Sequence, residues 1–145
     1  MATYSRILVP TDFSRSSYVA FAPAAAIAKK FKSRVYLLHV VADVPVLAVK
    51  MGLSQLQLEH RMLEHSAAEL RKAAKRFPMK GAQLILRKGT AQDEILKAAR
   101  EKKVDLIVMG TLGKTGIEHM LLGSVTEKIV RRASCHVLTV KPNRK

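Results

Sequence analysis

Three glycines, two hydroxyls and one carboxylate are the residues of this chain whose types and spacing suit chemistry. Gly110 and Gly113 are separated by two residues, nine more follow, and Gly123 then stands beside Ser124, with Thr126 two positions on. Positions without a Cβ let backbone amides close on an anion, and the hydroxyls add donors. A helix beginning near Ser124 turns its unpaired N–H groups and the positive end of its dipole back toward the same loop. The chemistry indicated is phosphate binding. Two familiar nucleotide signatures are absent. Gly113-Lys114-Thr115 looks like the end of a Walker A motif, but the position five before Gly113 is Val108, and no G-x-G-x-x-G pattern occurs.

The carboxylate is Asp12, just after the apolar run SRILVP of residues 5–10. A hard cation favours carboxylate together with phosphate oxygens, so Asp12 is a candidate ligand for Mg²⁺ or Mn²⁺ when nucleotide is present. The plainer role is an Asx-turn that holds its own loop, and one residue can do both.

Alternating elements must carry these residues to one place. Residues 5–10 and 34–41 read as buried strands, 82–87 and 104–109 as two more, and His136–Val140 as the last. Between them, residues 14–31 have helical spacing, with Ser14 or Ser16 as cap and Pro23 inside. Residues 44–52 show no period and read as a connection. A long helix follows, its stripe running through Leu56, Met62, Leu63, Ala67, Leu70 and Ala74 up to Pro78. Thr90 caps another helix that carries Asp93 and Glu94 in its first turn. Strict alternation of strand and helix predicts an α/β fold with a parallel sheet covered on both faces. Ligands in such sheets bind beyond the carboxyl ends of the strands, here Pro10-Thr11-Asp12, Val40-Val41, Gly89-Thr90 and Gly110 onward.

The length of 145 residues fits one domain with a real core, and no run approaches a membrane span or a secretion signal. The expected location is therefore the cytoplasm; the single cysteine, Cys135, reads as a small core residue that cannot form an internal disulfide, which fits a reducing compartment, and no Cys/His cluster has zinc spacing. The formal charge of +15 is unevenly spread: residues 1–70 hold 8 Lys and Arg against 5 Asp and Glu, residues 71–145 hold 18 against 6. Such an excess attracts polyanions without choosing among nucleotide, nucleic acid and acidic partner. Aromatics at 5% with no Trp argue against a stacking platform for single strands.

Lone histidines get no chemistry. His39 inside an apolar strand reads as a core residue with one satisfied nitrogen, His119 as solvated, and His60 and His65, five apart, do not share a helix face. Lys128, Arg131 and Arg132 complement a helix C-terminus.

The runs ILVPTDFS and LLHVV, and above all GTLGKTGIEHMLLGSVTEKIVRRASCHVLTVKP, resemble the universal stress protein family over essentially the whole chain. The G-x-x-G, nine residues, G-S pattern resembles its ATP-binding branch. The resemblance implies residues 1–145 as one nucleotide-binding domain with an open five-stranded sheet in the order 3-2-1-4-5, of adenine nucleotide alpha hydrolase type. It implies ATP, with Mg or Mn, across the ends of the first and fourth strands. Pro10, Thr11 and Asp12 would edge that site and the Val40 backbone would meet adenine. Met109 and Gly110 would flank the ribose, Gly113 the phosphates, and Gly123, Ser124, Val125 and Thr126 would hold the triphosphate. Leu112 and Lys114 depart from the family's common His or Arg and Arg, which bears on affinity. The family also implies a homodimer through residues 136–140, and an exposed apolar edge strand invites such pairing.

The chain therefore reads as a dimeric ATP-binding regulatory or stress-response module in which nucleotide occupancy changes the loop, the dimer or the recruitment of an unknown protein partner. No general base, arginine finger or acceptor pocket is evident, so at most slow hydrolysis is expected. Two alternatives stand beside it: an ATPase or nucleotidyl-transfer enzyme, and a nucleic-acid-binding protein using its basic surface, for which no motif speaks.

Overall fold

Parallel strands buried on both faces are built from unbroken apolar runs, and the computed structural model, which describes residues 3–44, 46–52, 54–112 and 122–142, forms strands at each such run. β1 (Arg6–Pro10), β2 (Arg34–Val41), β3 (Gln83–Lys88), β4 (Leu106–Gly110) and β5 (His136–Val140) make one sheet in the order β3-β2-β1-β4-β5. Every neighbouring pair is parallel. The expected order and strand count are those observed, and β2 and β5 begin and end where the sequence places them.

Side chains alternate across the sheet into two cores. Ile7, Val9, Val35, Leu37 and Val108 meet α2 (Phe21–Phe31) and the later turns of α4 (Gln55–Arg76) on one face. Leu8, Tyr36, Leu38 and Ile107 meet α5 (Ala91–Glu101) and α6 (Ser124–Arg132) on the other. Each fully buried Leu, Ile or Val contributes about 1.5–3 kcal/mol relative to exposure, and this double layer holds the strand ends in register for the site.

Four local expectations are corrected. Residues 14–31 form two helices, α1 (Arg15–Tyr18) and α2, with the break at Val19 and Ala20. Pro23 is then the third residue of α2, where its missing N–H has no intrahelical acceptor to lose, so it neither kinks nor ends the helix. The stretch 44–52 contains a short helix, α3 (Val46–Lys50), rather than an irregular connection; Pro45 lies outside the described residues. Leu56 leaves the core stripe and is 78% exposed. The 22 residues of α4 measure about 33 Å against about 20 Å for the six of β3, so the first turns of the helix overrun the sheet. Finally, Thr90 occupies the N-cap position of α5 without a side-chain cap hydrogen bond.

The overrunning end of α4 is tied down by charge. Lys88 at the end of β3 donates to Glu59 at 2.7 Å, which holds the Glu59 carboxyl below and the Lys88 ammonium above their ordinary ranges. No helix among the described residues is long and apolar enough to cross a membrane.

Candidate functional site

β1 and β4 lie side by side at the centre of the sheet while the connections after them depart to opposite faces, which opens a crevice at their carboxyl ends. A cavity of about 300 Å³ occupies it, the lower end of the range for small-molecule sites. β1 and the turn after it bring Pro10, Thr11 and Asp12 to this cavity, and β2 brings Val40. β4 adds Met109 and Gly110, and the start of α6 adds Gly123, Ser124, Val125 and Thr126. Gly113, like Lys114 and His119, lies outside the described residues.

The β1 wall is a network of short polar side chains. Thr11 N–H donates to Leu38 O at 2.8 Å, extending the parallel ladder one residue past β1. Ser17 Oγ donates its one proton to Ser14 O at 2.9 Å, so the 2.7 Å contact with Thr11 is a hydrogen bond given by the Thr11 hydroxyl. Thr11 Oγ1 also accepts from Phe13 N–H at 3.0 Å. Asp12 Oδ1 accepts from both the backbone N–H (3.0 Å) and the hydroxyl of Ser14, the Asx-turn anticipated from sequence. Ser14 Oγ in turn accepts from Ser17 N–H and caps α1. Asp12 Oδ2 has no hydrogen-bond partner among the described residues, and Asp12 is part of the cavity lining.

Phe13 adopts φ +68°, uncommon for a bulky residue. Its ring stacks on His39 with centroids 4.1 Å apart, and His39 Nδ1 donates to Thr11 O at 2.8 Å. The strained turn is thus pinned from two sides, and His39 acts as the hydrogen-bonded core histidine its surroundings suggest.

The opposite wall is a helix start closed onto a strand end. Gly123 N–H donates to Thr111 O at 2.6 Å, joining the two ends of the Gly-rich stretch, and Thr111 N–H donates to Val140 O at 3.1 Å. Gly123 caps α6 without a side chain in the way, and the first intrahelical bond is Glu127 N–H to Gly123 O. The amides of Ser124, Val125 and Thr126 therefore have no partner among the described residues, at the positive end of the helix dipole. The buried hydroxyl of Thr126 donates to Gly110 O at 3.0 Å and fixes α6 against β4. Thr126→Val keeps the shape and removes this donor, so unfolding in denaturant should show a loss of about 1–2 kcal/mol; an unchanged midpoint would contradict the anchoring role.

Between the two walls the floor is apolar: Leu38, Val40, Ala91, Ile95 and Met109. Ala91 and Ile95 had not been placed here from sequence, nor had Ser17. Ala91 and Ile95 stand one helical turn apart on α5, and the only local sign of their role was Gly89-Thr90 at the end of β3. Outside the cleft, burial pushes the Tyr18 phenol up, opposed by Arg76 and reinforced by Glu69 and Asp12. Burial likewise raises the thiol of Cys135. His60 pairs with Glu64 at 2.9 Å.

Five parallel strands in this order, with the cleft at the switch point, define a doubly wound α/β domain. The profile of the Universal stress protein family matches residues 3–141, and the chain belongs to that family. Universal stress protein MJ0531 of Methanocaldococcus jannaschii is 38% identical over 144 residues, 98% of this chain and 85% of that relative. The solved structure of MJ0577, from the same organism, superposes with a TM-score of 0.85 at 31% identity, covering 99% of this chain and 100% of that one. A universal stress protein in complex with cAMP superposes at 0.69 with 27% identity, over 97% and 98% of the two chains.

Proposed function

We propose that this chain binds ATP in the cleft between β1 and β4 and works as a cytoplasmic regulatory or stress-response module, paired with a second copy through β5. One observation carries the proposal: an apolar floor of Leu38, Val40, Ala91, Ile95 and Met109 lies beside three helix amides that have no partner among the described residues and that an anion would satisfy. The complex of a family member with cAMP supports an adenine nucleotide as the ligand class. Gly113 and the stretch after it complete the phosphate site on this account, and the G-x-x-G, nine residues, G-S pattern supports a triphosphate rather than a monophosphate.

Asp12 gives the ion its role. A carboxylate facing bound phosphates repels them unless a cation sits between, and one oxygen is already committed to the Asx-turn. Among the described residues no group of three or more His, Cys, Asp or Glu could hold a metal alone. A divalent ion bound together with the nucleotide would be held by phosphate oxygens and the Asp12 carboxylate. Asp12→Asn keeps the acceptor for Ser14 and removes the charge, whereas Asp12→Ala removes both. Asp12→Asn is expected to unfold within about 0.5 kcal/mol of wild type while losing the Mg²⁺-dependent part of its ATP affinity, and Asp12→Ala to lose about 1 kcal/mol as well. Mg²⁺-dependent binding retained by Asp12→Asn would remove the ion from Asp12.

A further inference from the structure

We infer that the edge of the sheet opposite the cleft is a docking surface for the phosphate backbone of double-stranded nucleic acid, independent of the nucleotide site. In a parallel sheet every helix-to-strand turn falls at the amino ends of the strands, so the turns into β2, β3, β4 and β5 share one edge. Their sequences are KKFKSR (29–34), KRFPMK (75–80), REKKVD (100–105) and RRASCH (131–136). These four six-residue segments hold 12 of the 26 Lys and Arg of the chain and 2 of its 11 Asp and Glu. Arg6, at the start of β1 and in register with Arg34, adds a further cation to the row.

The two acids do not offset the row: Glu101 is paired with Arg87, which lies outside these turns, and Asp105, whose Oδ2 accepts from Arg6 N–H, is a single anion against 12 cations. Helix C-termini ordinarily attract one or two cations to their dipoles. Here the charge continues past that need, through Lys32 and Lys103, both exposed in the left-handed region of the turns, and into the strand at exposed Arg34. Five strands at about 4.8 Å give a row about 19 Å wide, which spans several successive phosphates of a duplex.

The chemistry of the edge selects among polyanions. Among the described residues, none of the exposed large apolar side chains, which are Val46, Leu47, Met51, Leu56, Leu84, Val130 and Leu138, falls in these turns, so they offer nothing for insertion into a lipid surface. The aromatic rings there are engaged internally: Phe31 packs edge-on to Tyr4, and Phe77 to Phe21, leaving no platform for splayed bases. What remains is sequence-indifferent contact with backbone phosphate.

The test is fluorescence anisotropy of a short mixed-sequence DNA duplex titrated with the full chain over a range of salt concentrations. Lys29→Gln/Lys30→Gln/Arg100→Gln/Lys103→Gln empties part of the edge. Lys50→Gln/Arg61→Gln/Lys97→Gln/Lys128→Gln removes the same charge elsewhere. The edge variant should lose at least about tenfold in affinity and flatten the salt slope by about 3–4, the control by less than about 1. The milder Arg131→Gln/Arg132→Gln should flatten it by about 2, and saturating Mg-ATP should leave wild-type affinity within about twofold across the screened distance. Equal losses in the edge and control variants would overturn the proposal. So would a wild type that ignores the duplex, or that ignores it while co-sedimenting with phosphatidylserine vesicles.

Discussion

Gly110→Ala is expected to abolish ATP binding and to destabilise the fold by about 3 kcal/mol, at the upper end of what overpacking costs. A Cβ at Gly110 would stand 2.1 Å from the carbonyl oxygen of Ser16 and 3.1 Å from its carbon, and both atoms are backbone. Nothing flexible can give way. Relief requires α1 to move, and α1 carries Ser17, which takes the Thr11 hydroxyl, while the cap at Ser14 holds Asp12. The methyl group thus breaks the site from behind, without entering the cleft. In denaturant and thermal unfolding the loss should appear as a drop on the order of 10 °C, and calorimetry should find no ATP heat. Wild-type stability together with wild-type affinity in Gly110→Ala would contradict the close packing of α1 on β4.

Thr139→Pro is expected to convert a dimer into a folded monomer. His136 N–H and Val140 O both face β4, donating to and accepting from its flanks. Strand groups alternate, so the backbone groups of Val137 and Thr139 point outward from the free edge, and Leu138 is 37% exposed there. A twofold axis at Leu138 sets Val137 opposite Thr139 of the second copy, antiparallel, as an isologous edge pairing requires. Proline at 139 removes an outward donor and leaves the β4–β5 ladder whole. Sedimentation should report a monomer with unchanged circular dichroism. A persistent dimer would move the interface elsewhere on the surface.

The sheet was legible because its strands are short apolar runs: RVYLLHVV is buried along nearly its whole length and leaves no period to misread, and HVLTV, part-exposed at the sheet edge, is marked by its β-branched residues. Its order came through the resemblance of the Gly-rich stretch and the opening ILVPTDFS rather than from periodicity, which says nothing about which strand lies beside which. The cleft residues of β1, β2 and β4 were legible for the same reason, since strand ends and glycines are local signals. Ala91, Ile95 and Ser17 were not: each reaches the cleft through the packing of its helix, Ala91 and Ile95 carry no polar or glycine signature, and Ser17 is one of three serines in the run SRSS that sequence does not tell apart. Leu56 misled because a helix keeps its apolar stripe beyond the point where the sheet stops beneath it. The break between α1 and α2 was hidden by alanines that suit a continuous helix.

The most direct test of the account is calorimetric titration of nucleotide-stripped protein with ATP and Mg²⁺ at two salt concentrations, with AMP and GTP as controls. Adenine pressed on the apolar floor and phosphates on the α6 amides predict micromolar binding, about −8 kcal/mol, selective for ATP over GTP, weaker for AMP and kept in the higher salt. Absence of heat, or binding indifferent to the base and lost in salt, would contradict the cleft as a nucleotide site.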